Sequence, residues 1–227
     1  MGLVLAIDSA GPLIGAALLD GERLEGCWAA RVARGAETRL VPALRELLQG
    51  RQPALLALAT GPGAFTGLRV GIATGLGLAT AWGCPVVPVS SLLARAALAP
   101  GLPRVLALLD ARKERFYGGL FDTRSELPEP LGDERDLPIE DLCAVGPALA
   151  VGEGALAGRD AVLAAGHALH PLADANPAPA LARVARHLHR LGRALPPTAL
   201  RIRYLRPPDA RPPAGTATSS TRTGPEE

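Results

Sequence analysis

Residues 3–21 read LVLAIDSAGPLIGAALLDG: an apolar run closed by Asp8, a turn over Ser9–Pro12, a second apolar run, and then Asp20-Gly21. Asp-Gly supplies the backbone angles of a tight hairpin turn, so three antiparallel strands are predicted, the third over about 22–30. Downstream, Leu40, Val41, Leu44, Leu47 and Leu48 recur at helical spacing, with Pro42 expected near the helix start, where its missing N–H costs least. A buried strand over 54–60, a helix over about 67–82, a strand over 86–89 and a helix over about 91–98 complete this half. Strands that alternate with helices in this order predict an α/β lobe.

The Pro100–Pro103 stretch reads as a boundary, and the sequence after it repeats the sequence before it. RVLALLDARKERFYGGLFD at 104–122 aligns with LVLAIDSAGPLIGAALLD at 3–20, setting Asp110 on Asp8 and Asp122 on Asp20 with the same twelve-residue spacing. Two such hairpins suggest a duplicated lobe, with 1–100 as the first, 101–206 as a reduced second, and 207–227 as a Pro/Ser/Thr-rich tail too poor in apolar residues to order itself. Within the second half, a short strand over 148–152 and a final helix over 179–195 are expected.

Composition excludes several classes. Aromatic residues are 3% against 48% hydrophobic, so the core must be built from Ala, Leu and Val, which let backbones approach closely. Net charge is +2 with Lys113 the only lysine, and the arginines are interspersed with acids, so no nucleic-acid arm is present. Cys27, Cys84 and Cys143 are far apart and odd in number, which argues against disulfides or a CxxC metal site and fits a reducing, cytoplasmic setting. The uncharged stretch 70–94 is long enough to span a bilayer, but Pro85 and Pro88 break it, so no membrane span is expected. No basic region precedes the first apolar run, so it does not read as a signal peptide.

Gly61-Pro62-Gly63-Ala64-Phe65-Thr66-Gly67 is a glycine-rich loop before a helix. It lacks the Gly-Lys-Ser/Thr end of a phosphate loop and the spacing of a dinucleotide fingerprint, and a tight turn with Thr66 as helix N-cap is the preferred reading. Gly67, Gly71 and Gly75 form one side-chain-free stripe, which suits close packing on either the protein's own sheet or a partner's helix. Asp8 and Asp110 stand where acids of a two-lobed nucleotide fold would face Mg-phosphate, although neither is followed by the Gly-Thr that admits phosphate. His167, His170, His187 and His189 do not form a metal set, and Ser90 and Ser91 have no base beside them.

Taken together, LAIDSA at 5–10, GPGAFTGLRVGIATGLGLA at 61–79, PVVPVSSL at 85–92, LDARKERFYGGLF at 109–121 and Tyr204-Leu205-Arg206 resemble the TsaB (YeaZ) family. The resemblance implies a two-lobed actin-like (ASKHA, ribonuclease-H-like) α/β fold with mixed sheets flanked by helices. It implies a non-catalytic subunit for N6-threonylcarbamoyladenosine formation in tRNA, which pairs with catalytic TsaD and is joined by TsaE. ATP and metal would belong to those partners and tRNA would be met only indirectly, while an exposed apolar helix face is what would let the chain self-associate when alone. On the helices at 37–48 and 67–82, the implied TsaD interface holds Thr38, Val41, Leu44, Arg45, Leu48, Gly67, Arg69, Val70, Gly71, Thr74, Gly75 and Leu78, with Asp8 and Asp110 as vestigial phosphate-site acids. Ala36 stands where many relatives have His, and the metal-binding His pair of the catalytic paralogue is missing. The competing readings are an actin-like phosphotransferase using Asp8 and Asp110, or a glycoprotease-like hydrolase.

Overall fold

β1 (Val4–Asp8) is buried along its whole length, which is why its run is continuously apolar rather than alternating. It pairs antiparallel with β2 (Leu13–Asp20), which pairs antiparallel with β3 (Arg23–Arg31) through the turn at Gly21, whose φ is 53°. The computed structural model describes residues 2–32 and 35–206, so the tail expected at 207–227 lies outside the described residues. After α1 (Ala36–Leu48), β4 (Leu55–Ala59) joins β1 in parallel, and after α2 (Phe65–Trp82), β5 (Val86–Val89) joins β4 in parallel, so the first sheet runs β3-β2-β1-β4-β5.

The second sheet repeats this order. β6 (Val105–Arg112) and β7 (Arg115–Asp122) form its hairpin, with β8 (Glu129–Pro130) and β9 (Arg135–Leu137) both on β7. Beyond α4 (Ile139–Cys143), β10 (Leu149–Val151) joins β6 in parallel; α5 (Glu153–Ala157) and α6 (Arg159–Ala164) follow, and β11 (Ala168–Leu169) joins β10. Two sheets of matching order, each flanked by helices, make this the two-lobed actin-like fold. Pairing corrects the hairpin alignment, because Asp8 faces Gly15 while Asp110 faces Phe116. With Asp8 set on Asp110, Phe121 therefore occupies the place of Asp20, and Asp122 lies one residue beyond.

The helices set the layers. Leu40, Leu44 and Leu48 of α1 and Leu68 and Ile72 of α2 cover one face of the first sheet against Leu5, Ile7, Leu18, Leu56 and Leu58. The other face, with Val4, Ala6, Leu19 and Ala57, takes Leu181, Val184 and Ala185 of α7 (Ala178–Arg190). α3 (Ser91–Ala96) turns Leu92 and Ala96 to the second sheet and Ala94 to the first. Each half thus ends in a helix that serves the other half's sheet. α1 begins at Ala36 rather than near Pro42, which sits inside the helix on its exposed side, where water can serve the carbonyl the proline leaves unbonded. α7 stops at Arg190 because Gly192 takes a left-handed conformation (φ 73°). Among the described residues no helix is long and apolar enough to cross a membrane.

Candidate functional site

Between the sheets, the turn after β1 meets α3 and the start of α5. Asp8 is fully buried; its Oδ1 accepts the Ala10 N–H at 2.9 Å and its Oδ2 accepts Arg95 Nη1 at 3.0 Å. The same guanidinium donates to the Ser91 carbonyl at 3.0 Å and, through Nε, to Glu153 Oε2 at 3.1 Å. Burial opposes the charge on Arg95, but the fields of Asp8 and Glu153 outweigh it and hold the guanidinium protonated more firmly than usual. A Cβ at Gly11 would approach Glu153 Oε1 closer than 3.0 Å, and one at Gly152 would meet the Leu108 carbonyl as closely. A fixed internal cation therefore pairs with the buried Asp8 carboxylate. Asp110 is exposed and accepts the Arg112 N–H at 2.7 Å within its own turn. The paired strand ends have become two different settings, one a buried ion cluster and the other a turn cap.

The glycine loop is equally occupied. Gly61 N donates to Ser91 Oγ at 3.2 Å and Ala64 N to the Ala10 carbonyl at 2.7 Å. A Cβ at Gly61 would strike the Arg203 carbonyl, and one at Gly63 the Ala10 carbonyl, both closer than 3.0 Å. The loop's glycines serve close backbone packing, and the donors at Gly61 and Ala64 are spent inside the chain. α2 begins at Phe65 with Ala64 as its cap residue, so Thr66, expected as the cap, lies in the first turn and is exposed. Pro62 is buried beside this turn.

The glycine stripe corrects the expected interface. Added Cβ atoms would come closer than 3.0 Å to the Ser9 carbonyl at Gly67, to Ser9 Oγ at Gly71 and to Leu58 Cδ2 at Gly75. The stripe faces β1 and β4 of the chain's own sheet, where Ser9 Oγ donates to the Gly67 carbonyl at 2.8 Å. Leu44 and Leu48 also point into the core, at 3% and 7% exposed. What faces outward is a different set: Thr38, Val41, Arg45 and Arg69 are exposed, and Val70, Thr74 and Leu78 are half-buried. Val41 is 54% exposed, a large apolar side chain left in water on a helix whose opposite side is core. At the start of α2 the Arg69 guanidinium stacks on the Phe65 ring, 3.7 Å from its centroid, and donates to Tyr204 Oη at 3.3 Å.

Arg95 and Glu153 escaped the sequence reading. Arg95 is the first charge after the long uncharged stretch that ends at Ala94, and Glu153 sits in a Gly-Glu-Gly turn. Each was a visible signal, but nothing in spacing alone says that they meet across 58 residues. His167 is a core residue, its Nδ1 accepting the Ala148 N–H and its Nε2 donating to the Cys143 carbonyl. Among the described residues no three His, Cys, Asp or Glu side chains are grouped to hold a metal ion.

A family model described as "TsaD: tRNA N6-adenosine threonylcarbamoyltransferase" matches residues 26–152, more than half of the chain. The Bacillus subtilis (strain 168) tRNA threonylcarbamoyladenosine biosynthesis protein TsaB is 28% identical over 144 residues, covering 61% of this chain and 63% of that protein. Its Haemophilus influenzae namesake is 36% identical over 113 residues, covering 41% of this chain and 48% of that protein. The chain therefore matches less than two thirds of the length of these curated relatives. A Pseudomonas aeruginosa crystal structure, described as similar to the peptidase YeaZ, superposes with a TM-score of 0.78 at 29% identity, covering 91% of this chain and 100% of that one.

Proposed function

Because the chain belongs to the TsaB (YeaZ) proteins of the threonylcarbamoyltransferase family, we propose that it is a non-catalytic subunit in N6-threonylcarbamoyladenosine formation in tRNA. It binds the catalytic subunit TsaD through the outward faces of α1 and α2, and TsaE joins the pair. The observation that carries this reading is the Arg95 guanidinium between Asp8 and Glu153. It satisfies internally the acid that an actin-like enzyme needs for metal and phosphate, so the chain's contribution is its surface. Thr38, Val41 and Arg45 on α1, with Arg69, Val70, Thr74 and Leu78 on α2, supply that surface, and α1 packs beside α2.

Metal and ATP belong to the partners in this reading, tRNA is met through the complex, and the protein works in the cytoplasm. Without TsaD, the exposed Val41 face pairs with a second copy of the chain. Co-purification from cells expressing both proteins tests the reading: Val41→Asp and Arg45→Glu should abolish capture of TsaD while the thermal transition stays in place. Calorimetry with Mg-ATP on the isolated chain tests the phosphotransferase alternative, and tight binding lost in Asp8→Asn would replace the present reading.

A further inference from the structure

The segment Leu200–Arg206 crosses from one lobe to the other within seven residues, and its contacts divide between them. Leu200 is buried in the core beneath α1 and α2, with Ile202 packed on the same cluster, and Arg203 N donates to the Thr60 carbonyl at the end of β4 at 2.8 Å. Leu205 packs instead on the cluster formed by α3 and the second sheet. Arg203 Nη1 reaches Glu134 Oε2 at 2.7 Å, and Arg206 Nη2 donates to the Ala111 carbonyl at 3.2 Å, on the β6–β7 hairpin. The Glu134 carboxylate, from the β8–β9 turn, also accepts Ser90 Oγ, whose oxygen caps α3.

Between these anchors Tyr204 turns back to α2. Its ring lies 5.2 Å from the Phe65 ring, inclined at 34°, and its hydroxyl accepts from Arg69. Arg69 is one of the outward residues of the proposed partner surface, so its side chain is positioned by a residue that is itself tied to the second lobe.

We propose that Leu200–Arg206 is a strap that couples the arrangement of the two lobes to the partner-facing end of α2, with Tyr204 and Arg203 as the positioning residues. This rests on the reading of that face as the TsaD surface. The docked strap holds Phe65 and Arg69 in one orientation and fixes the second lobe against the first. Undocking frees both at once, because one short run of backbone carries both sets of contacts. Arg203 and Tyr204 are 50% and 38% exposed, so they can be changed without opening the core.

Hydrogen exchange on the full-length chain, with the affinity of each variant for TsaD, tests the strap. Arg203→Ala and Tyr204→Ala should each raise exchange over residues 200–206 roughly tenfold while β1, β4 and α7 keep wild-type protection. The same variants should bind TsaD at least about fivefold more weakly, and Glu134→Gln, which keeps a hydrogen bond, should fall between them and wild type. Faster strap exchange with unchanged TsaD affinity would overturn the coupling. Strap exchange that rises only together with β1 and β4 would show the segment to be part of the global core and overturn the strap as a unit. Val41→Asp on α1 separates the premises: loss of TsaD there with Tyr204→Ala and Arg203→Ala unaffected removes the strap alone. Unchanged binding by Val41→Asp removes the proposed function and the strap proposal with it.

Discussion

The hairpins β1–β2 and β6–β7 open the two sheets in matching positions, yet one ends in a fully buried charge and the other in an exposed turn. Asp8 is 0% exposed and fixed by Arg95, whereas β6 runs two residues past Asp110 into a turn where Arg112, Lys113 and Glu114 all have φ between 54° and 62°. Non-glycine residues in that region cost about 1–2 kcal/mol each, so the second hairpin tip is a costly surface feature while the first is a sealed one. The difference teaches that a duplicated architecture retains strand order, which burial of the sheet enforces, more strictly than it retains the chemistry at strand ends.

The largest test of that contrast removes the internal cation. Arg95→Met should leave Asp8 and Glu153 buried without a counterion and cost about 3–5 kcal/mol in urea unfolding. Asp110→Ala, at the strand end that matches Asp8 in the second lobe, should cost only about 1 kcal/mol for one turn hydrogen bond. Equal losses would erase the distinction. A second comparison sets a long covering helix against a short one: Leu44→Ala on α1, at 3% exposed, should cost about 2–5 kcal/mol. Leu163→Ala on α6, at 45% exposed, should stay within about 0.5 kcal/mol by the same measurement.

Within the first lobe, the two faces of α2 can be told apart by a single methyl group. Gly75→Ala presses on Leu58 and should destabilise by about 1–3 kcal/mol. Gly77→Ala, with open space beside it, should raise the thermal midpoint through a gain of about 0.5–1 kcal/mol of helix propensity.

The smallest expected effect lies where the lobes meet. Burial raises the pKa of Glu134 above its ordinary 4.5, against the lowering effects of Ser90 and Arg203. A carboxyl raised on folding contributes stability that is full below the unfolded value and declines as pH rises through the folded one. Glu134→Gln, which cannot titrate, should therefore gain on the wild type between about pH 4.5 and neutrality. A difference that is flat with pH would show that Arg203 cancels the burial cost.

Much of the first lobe was legible because its signals are local. The Asp20-Gly21 turn, the apolar run of β1 and the helical spacing of Leu40, Leu44 and Leu48 each act over a few residues. The glycine stripe was legible as a close approach but not as to what approaches, since a stripe has the same sequence whether it meets β1 and β4 or another protein. The second lobe was harder because its elements are short: β8 and β11 have two residues each, and so little chain carries no periodicity.

The amino-acid sequence by itself determined the α/β order, the duplication and the reliance on small side chains, because turn geometry and hydrophobic spacing are set by near neighbours. Only the tertiary structure decided that the stripe faces inward, that Arg95 joins Asp8 to Glu153, and that Tyr204 rests on Phe65. The ion-pair and ring contacts bridge 58 to 139 residues of chain, and their existence depends on two sheets closing on shared helices, which no local pattern encodes.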